Sequence, residues 1–171
     1  MNVLIHPLIV KRIAWPDEAA TEAFARSLAA HSAIANVLIE LRGDLGAGKT
    51  TFARYLLAAL GVTGRIKSPT YAIVESYVLG GGVQAPLTGR FAGGLNIWHF
   101  DFYRFNDPGE WEEAGFRDVF ASPGLKLVEW AEKAGKYLPP RDVVVSIETL
   151  ADETRAVEVA ALTARGAELL A

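Results

Sequence analysis

The sequence predicts an α/β domain of three layers, with a central mixed sheet covered by helices on both faces. Three observations lead there. Val37-Leu38-Ile39-Glu40-Leu41 reads as a buried strand that runs into a glycine loop and then a helix. Further short apolar runs alternate with amphipathic segments along the chain, the pattern of strands joined by helical crossovers. Near the end, Val143–Ile147 and Val157-Glu158-Val159 flank a turn at Ala151-Asp152-Glu153, which makes the last pair an antiparallel addition. At 171 residues, with 51% hydrophobic and 22% charged residues, the whole chain 1–171 suits one domain.

Taken in order, Val3-Leu4-Ile5 and Leu8-Ile9-Val10 surround Pro7 and suggest an edge strand or an irregular lead-in. Asp17 is placed to cap a helix whose apolar positions Ala20, Phe24 and Leu28 recur every four residues, ending near His31. After the glycine loop, Phe52, Tyr55, Leu56, Ala59 and Leu60 fall on one helical face. Gly61 and Gly64 lead into Arg65-Ile66-Lys67-Ser68-Pro69-Thr70, where Pro69 biases Ser68 toward an extended conformation. Tyr71–Leu79 reads as a strand. The glycine-rich stretch 80–94 that follows can bury little and is expected to be a flexible insertion. Ile97–Asp101 is the next strand, and Asp107-Pro108 opens a helix that runs through Trp111 and Glu113 to Gly115. Phe116, Val119 and Phe120 continue the apolar face, and Leu125–Glu129 is another strand. Pro139-Pro140 closes an amphipathic segment, and Arg165–Ala171 is a terminal helical turn.

The chemistry lies in Gly43-Asp44-Leu45-Gly46-Ala47-Gly48-Lys49-Thr50, which satisfies G-x-x-x-x-G-K-[ST] at each fixed position. Glycines let the backbone turn its N–H groups toward phosphate oxygens, and the following helix adds unpaired N–H groups and a positive dipole end. Lys49 supplies a compact charge for the outer phosphates, and the Thr50 hydroxyl is the expected magnesium ligand. An acid at the end of a neighbouring strand must hold the cation or its waters, and both Asp101 and Glu129 qualify. His99 reads as a hydrogen-bonding residue rather than a metal ligand, since no second histidine lies at ligand spacing. The Lys67–Thr70 segment is compatible both with a loop reaching a terminal phosphate and with an ordinary polar turn.

Composition narrows the partners. Without cysteine, neither disulfides nor thiolate chemistry can enter, and no apolar run reaches the ~20 residues of a membrane span, so a cytoplasmic chain with no membrane contact is expected. A net charge of −3 argues against unaided nucleic-acid binding. Asn-Lys-x-Asp and Asp-x-x-Gly, the guanine-nucleotide signatures, are absent, so ATP is the expected nucleotide. On the loop alone, a small-molecule kinase and a nucleotide-switched binding module with little turnover stay open beside an ATPase.

The loop extended to Thr51, with Lys67-Ser68-Pro69-Thr70-Tyr71, His99-Phe100-Asp101-Phe102-Tyr103-Arg104 and Val128-Glu129-Trp130 in that order, resembles the bacterial TsaE (YjeE) family. The resemblance runs from Pro16-Asp17 to the final strands, and it implies a P-loop ATPase. Its members are required for threonylcarbamoyladenosine (t6A) at position 37 of tRNAs reading codons that begin with adenine. It further implies that TsaB and TsaD are the partners, that TsaC supplies the threonylcarbamoyl-adenylate, and that tRNA is met only through the complex. Carried onto this chain, the resemblance makes Leu45, Gly46, Ala47, Gly48, Lys49, Thr50 and Thr51 the phosphate cradle. Thr50 and Glu129 become Mg2+ ligands, Asp101 orients water or the metal shell beside Lys49, and Thr70 in Ser68-Pro69-Thr70 senses the γ-phosphate. Asp17 and Thr21 would lie by the base, and Arg155 would close the site.

Overall fold

The computed structural model describes residues 6–80, 91, 93–107 and 109–171. Its strands are β1 (Ile9–Trp15), β2 (Leu38–Arg42), β3 (Val74–Leu79), β4 (Leu95–Asp101), β5 (Leu125–Glu129), β6 (Val143–Thr149) and β7 (Arg155–Ala161). They form one sheet in the order β1-β7-β6-β2-β5-β4-β3. The central strands β4, β5, β2 and β6 are parallel, whereas β3, β7 and β1 join antiparallel at the margins. The mixed sheet expected from the final hairpin is therefore present, and β1 is indeed an edge strand.

Helices α1 (Glu18–Ala29), α2 (Lys49–Leu60) and α5 (Ala164–Leu170) cover one face. Helices α3 (Gly109–Glu113) and α4 (Phe116–Ala121), with two 3-10 turns at Ala131–Lys133 and Gly135–Tyr137, cover the other over β2, β4 and β5. Strand alternation feeds both layers: Leu125 and Leu127 of β5 enter the first core, and Val128 enters the second.

Local chemistry sets the ends of the helices beside the site. The Asp17 carboxylate accepts the Ala20 N–H at 2.9 Å, the expected cap of α1. At the far end of α2, Gly61 N–H meets Ala58 O and Val62 N–H meets Leu57 O, both at 3.0 Å, the paired bonds of a Schellman closure. Phe52, Leu56 and Leu57 of α2 are fully buried, each worth about 1.5–3 kcal/mol, so this helix is pinned to the sheet. The second core is aromatic: Phe100 meets Phe116 edge-on at 5.2 Å, and Trp111 stacks on Phe120 at 5.0 Å.

Some expectations need correction. Ala59 is exposed, and Ala53 with Leu57 completes the buried face of α2 instead. The strand read from Tyr71 begins only at Val74. Residues 69–73 close into a turn in which Ile73 N–H donates to Pro69 O at 2.7 Å and Ile73 adopts φ 67°, leaving Tyr71 82% exposed. Val3-Leu4-Ile5, Pro108 and all of the 80–94 stretch except Gly80, Phe91, Gly93 and Gly94 lie outside the described residues.

Candidate functional site

The glycine loop leaves β2 at the carboxyl edge of the parallel strands, where open α/β sheets place their ligands. Gly43 starts it with φ 148°. A Cβ there would stand 2.5 Å from Ile147 O and 2.9 Å from the Ala47 Cβ, so the loop lies flush against β6 only because the side chain is missing. Lys49 opens α2 and is 5% exposed; its ammonium donates to Gly43 O at 2.6 Å and to Asp44 O at 2.8 Å. Burial holds its pKa below the ordinary lysine range, with Glu129 and Asp101 pulling the other way.

Two acids close the site from neighbouring strands. Asp101 and Glu129 end β4 and β5 side by side in the parallel register. The Thr50 hydroxyl lies 3.0 Å from each Glu129 carboxylate oxygen. Asp101 accepts the Thr70 hydroxyl at 2.8 Å and the Tyr103 N–H at 2.9 Å, and Thr70 in turn lies 2.8 Å from Ser68 Oγ. The turn 69–73 is thus tied to the end of β4 by a side-chain chain of hydrogen bonds. Lys49, Thr50, Thr70, Asp101 and Glu129 share a cavity of about 210 Å3 with Leu45, Gly46, Gly48 and Thr51.

Trp130, directly after Glu129, takes the left-handed conformation at φ 57°. Its ring lies 4.4 Å from the Lys49 ammonium and 5.0 Å from the Tyr103 ring, so the lysine is roofed by an aromatic face. Strain of this kind concentrates at functional sites. The sequence reading did not single out Trp130 or Tyr103 as site residues; aromatics follow both acids in the chain, but that alone does not tell that Trp130 and Tyr103 line the cavity whereas Phe102 is buried in the second core. Arg104, by contrast, stacks on Tyr71 at 4.3 Å and does not enter the cavity.

A second cavity of about 420 Å3 lies on the other side of the loop, within the size range of small-molecule sites. It brings together Asp17, Thr21, Thr51, Ala47 and Arg155, although Asp17 and Arg155 stand at opposite ends of the sequence. Antiparallel pairing of Trp15 with Arg155 explains the meeting. Arg155 Nε donates to Ala47 O at 3.0 Å, so the arginine already touches the loop backbone. Trp15 and Glu18 also line this space and were not foreseen; Glu18 is bonded to the Tyr55 hydroxyl at 2.8 Å.

The donor set fits a hard cation. Among the described residues no three or more His, Asp or Glu side chains converge on one metal position. One hydroxyl and one carboxylate beside a phosphate-sized cavity suit a cation that keeps waters and takes phosphate oxygens, as Mg2+ does. Loop amides, ammonium, hydroxyl and carboxylates together can bind a polyphosphate and steady charge as it moves.

Comparison with known proteins shows what the chain is similar to. Residues 15–157 match the family described as threonylcarbamoyl adenosine biosynthesis protein TsaE. The chain is 40% identical over 134 residues to the tRNA threonylcarbamoyladenosine biosynthesis protein TsaE of Haemophilus influenzae, covering 78% of this chain and 76% of that one. With the Bacillus subtilis protein of the same name it shares 34% identity over 157 residues, 90% and 88% of the two chains. The crystal structure of Bacillus subtilis YdiB superposes with a TM-score of 0.68 at 29% identity, covering 95% of this chain and 93% of that one.

Proposed function

The chain belongs to the TsaE family, and from that premise we propose that it is the Mg2+-dependent ATPase of tRNA threonylcarbamoyladenosine biosynthesis, acting on a TsaB–TsaD complex. The family's part in that biosynthesis is the coarse assignment; nucleotide, cation and partner are the finer reading. One observation carries it: a lysine, two threonines and two strand-end acids from four separate stretches meet in a single cavity against the glycine loop. A lone strand–turn–helix would not need Thr50, Thr70, Asp101 and Glu129 in one place.

Each residue then has a task. The Lys49 ammonium leaves the Gly43 and Asp44 carbonyls for the outer phosphates, exchanging neutral acceptors for anionic ones. Thr50 and Glu129 would hold the cation, and bound Mg2+ would neutralise charge on the phosphate oxygens. Asp101 accepts a proton from, or orients, the attacking water. Thr70 now donates to Asp101, so a terminal phosphate competes for that hydroxyl and the 69–73 turn registers its presence or loss. Asp17, Thr21 and Arg155 offer polar groups to the adenosine end in the second cavity.

Hydrolysis on this reading resets the complex rather than building the modified base, through unequal affinity of the ATP and ADP states for the partner. The net charge of −3 fits a subunit that meets tRNA only through TsaB–TsaD. The test is release of inorganic phosphate from ATP by the purified chain, alone and with TsaB–TsaD. Slow turnover that rises with the partners and vanishes in Lys49→Ala is expected. Unchanged turnover in that variant, or phosphate recovered on a metabolite, would remove the assignment.

A further inference from the structure

His99 sits on the β4 face that looks toward α2, and none of it is exposed. Its Nε2 lies 2.8 Å from Glu129 Oε1, while its Nδ1 has no hydrogen-bond partner. A carboxylate only accepts, so Nε2 carries the proton. Among the described residues, the bond to Glu129 is therefore the one side-chain hydrogen bond that the buried ring makes.

The bond matters because of what lies nearby. Glu129 acts electrostatically on the Lys49 ammonium, which burial already penalises. A glutamate free to turn would gain by pairing with that ammonium. Such a pair would cancel the cation that meets the phosphates and the anion that meets the metal in one step. His99 stands two positions along the neighbouring strand from Asp101, on the same sheet face as Glu129, and holds Oε1 from the side away from solvent.

We propose that His99 is a positioning residue of the cation site: its buried hydrogen bond fixes Glu129 against Thr50 and keeps that carboxylate from turning to Lys49. This rests on the reading of Glu129 as a cation ligand. Ligating carboxylates are generally oriented by such outer hydrogen bonds, whose loss costs about 10–100-fold in metal affinity.

The experiment measures affinity for a non-hydrolysable ATP analogue with Mg2+ and with EDTA in wild type, His99→Leu, His99→Gln, Glu129→Gln and the double variant His99→Leu/Glu129→Gln. Loss in His99→Leu of about ten-fold or more of the gain that Mg2+ brings is expected, with recovery in His99→Gln, which keeps a donor. Binding in EDTA should also weaken in His99→Leu, because Glu129 captures Lys49, and should return in the double variant, which has no charged partner to capture. An undiminished Mg2+ gain in His99→Leu, while Glu129→Gln loses it, would overturn the role of His99 alone. A Mg2+ gain that survives Glu129→Gln would instead remove the cation-ligand reading beneath it. Should His99→Leu fail to fold, His99→Asn, whose amide takes the place of Nδ1 rather than Nε2 and so leaves Glu129 without its donor, is measured instead: a reduced Mg2+ gain supports the proposal, and an undiminished one refutes it.

Discussion

The Thr50 hydroxyl stands 3.0 Å from both carboxylate oxygens of Glu129, though the two residues are 79 positions apart and come from a helix start and a strand end. A hydroxyl shared between two carboxylate oxygens holds the pair together, and on the proposed reading both groups would turn to a bound cation instead. Thr50→Ala should therefore weaken ATP binding in Mg2+ by about ten-fold while changing binding in EDTA much less. Titration calorimetry under the two conditions checks this, and equal losses in both would make the pair merely structural.

Asp101 differs from Glu129 in its company. Its oxygens receive Thr70 and the Tyr103 N–H, and neither is a charged group. Asp101→Asn preserves the shape but cannot take a proton, so turnover should fall by about 100-fold or more with ATP affinity nearly unchanged. Single-turnover kinetics separates the two quantities. A variant that binds poorly yet turns over normally would assign Asp101 to binding.

Much of this cavity's lining was legible because the loop's pattern constrains residue types: a loop presenting amides needs glycines, and acids beside it are expected at strand ends, where Asp101 and Glu129 stand. The 69–73 turn was not legible. It hangs on Ile73 at φ 67°, which a β-branched residue ordinarily avoids and which here is held by the bond to Pro69 O. Trp130 escaped for the same reason, since nothing local announces a left-handed tryptophan. The 420 Å3 cavity depends on β1 pairing with β7, a long-range fact that periodicity cannot express. Ala53 and Leu57 were missed because α2 is buried over a wider arc than the stripe its own spacing suggested.

Two loop glycines should fail in different ways when replaced. A Cβ on Gly43 meets Ile147 O at 2.5 Å at φ 148°, so Gly43→Ala combines strain with a backbone clash and should cost about 2–4 kcal/mol of stability. Around Gly46, at φ 81°, a Cβ would meet nothing within 4 Å, but it would occupy the rim of both cavities. Gly46→Ala should cost about 1–2 kcal/mol and lose ATP affinity out of proportion. Urea denaturation and nucleotide titration of both variants give the comparison; equal stability losses would mean that β6 does not hold the loop as closely as the clash requires.

At the opposite end of β5 from Glu129, Lys126 is 4% exposed, with its ammonium donating to Ser122 O at the end of α4 and lying 5.3 Å from the Trp98 ring. Burial, then Arg165, lowers its pKa, and Asp142 only partly opposes them. A base whose pKa falls on folding binds more protons when unfolded, so the slope of unfolding free energy with pH is positive in the window between the two pKa values. The window lies beneath the ordinary lysine value of about 10.4. The stability of wild type minus that of Lys126→Met should accordingly be flat at low and neutral pH and climb as pH approaches that value, because only wild type sheds a penalised charge. Denaturation of both proteins across the alkaline range measures the difference and cancels the tyrosines they share. A difference that falls with pH would mean that the Ser122 carbonyl and the Trp98 ring more than offset the burial of the ammonium.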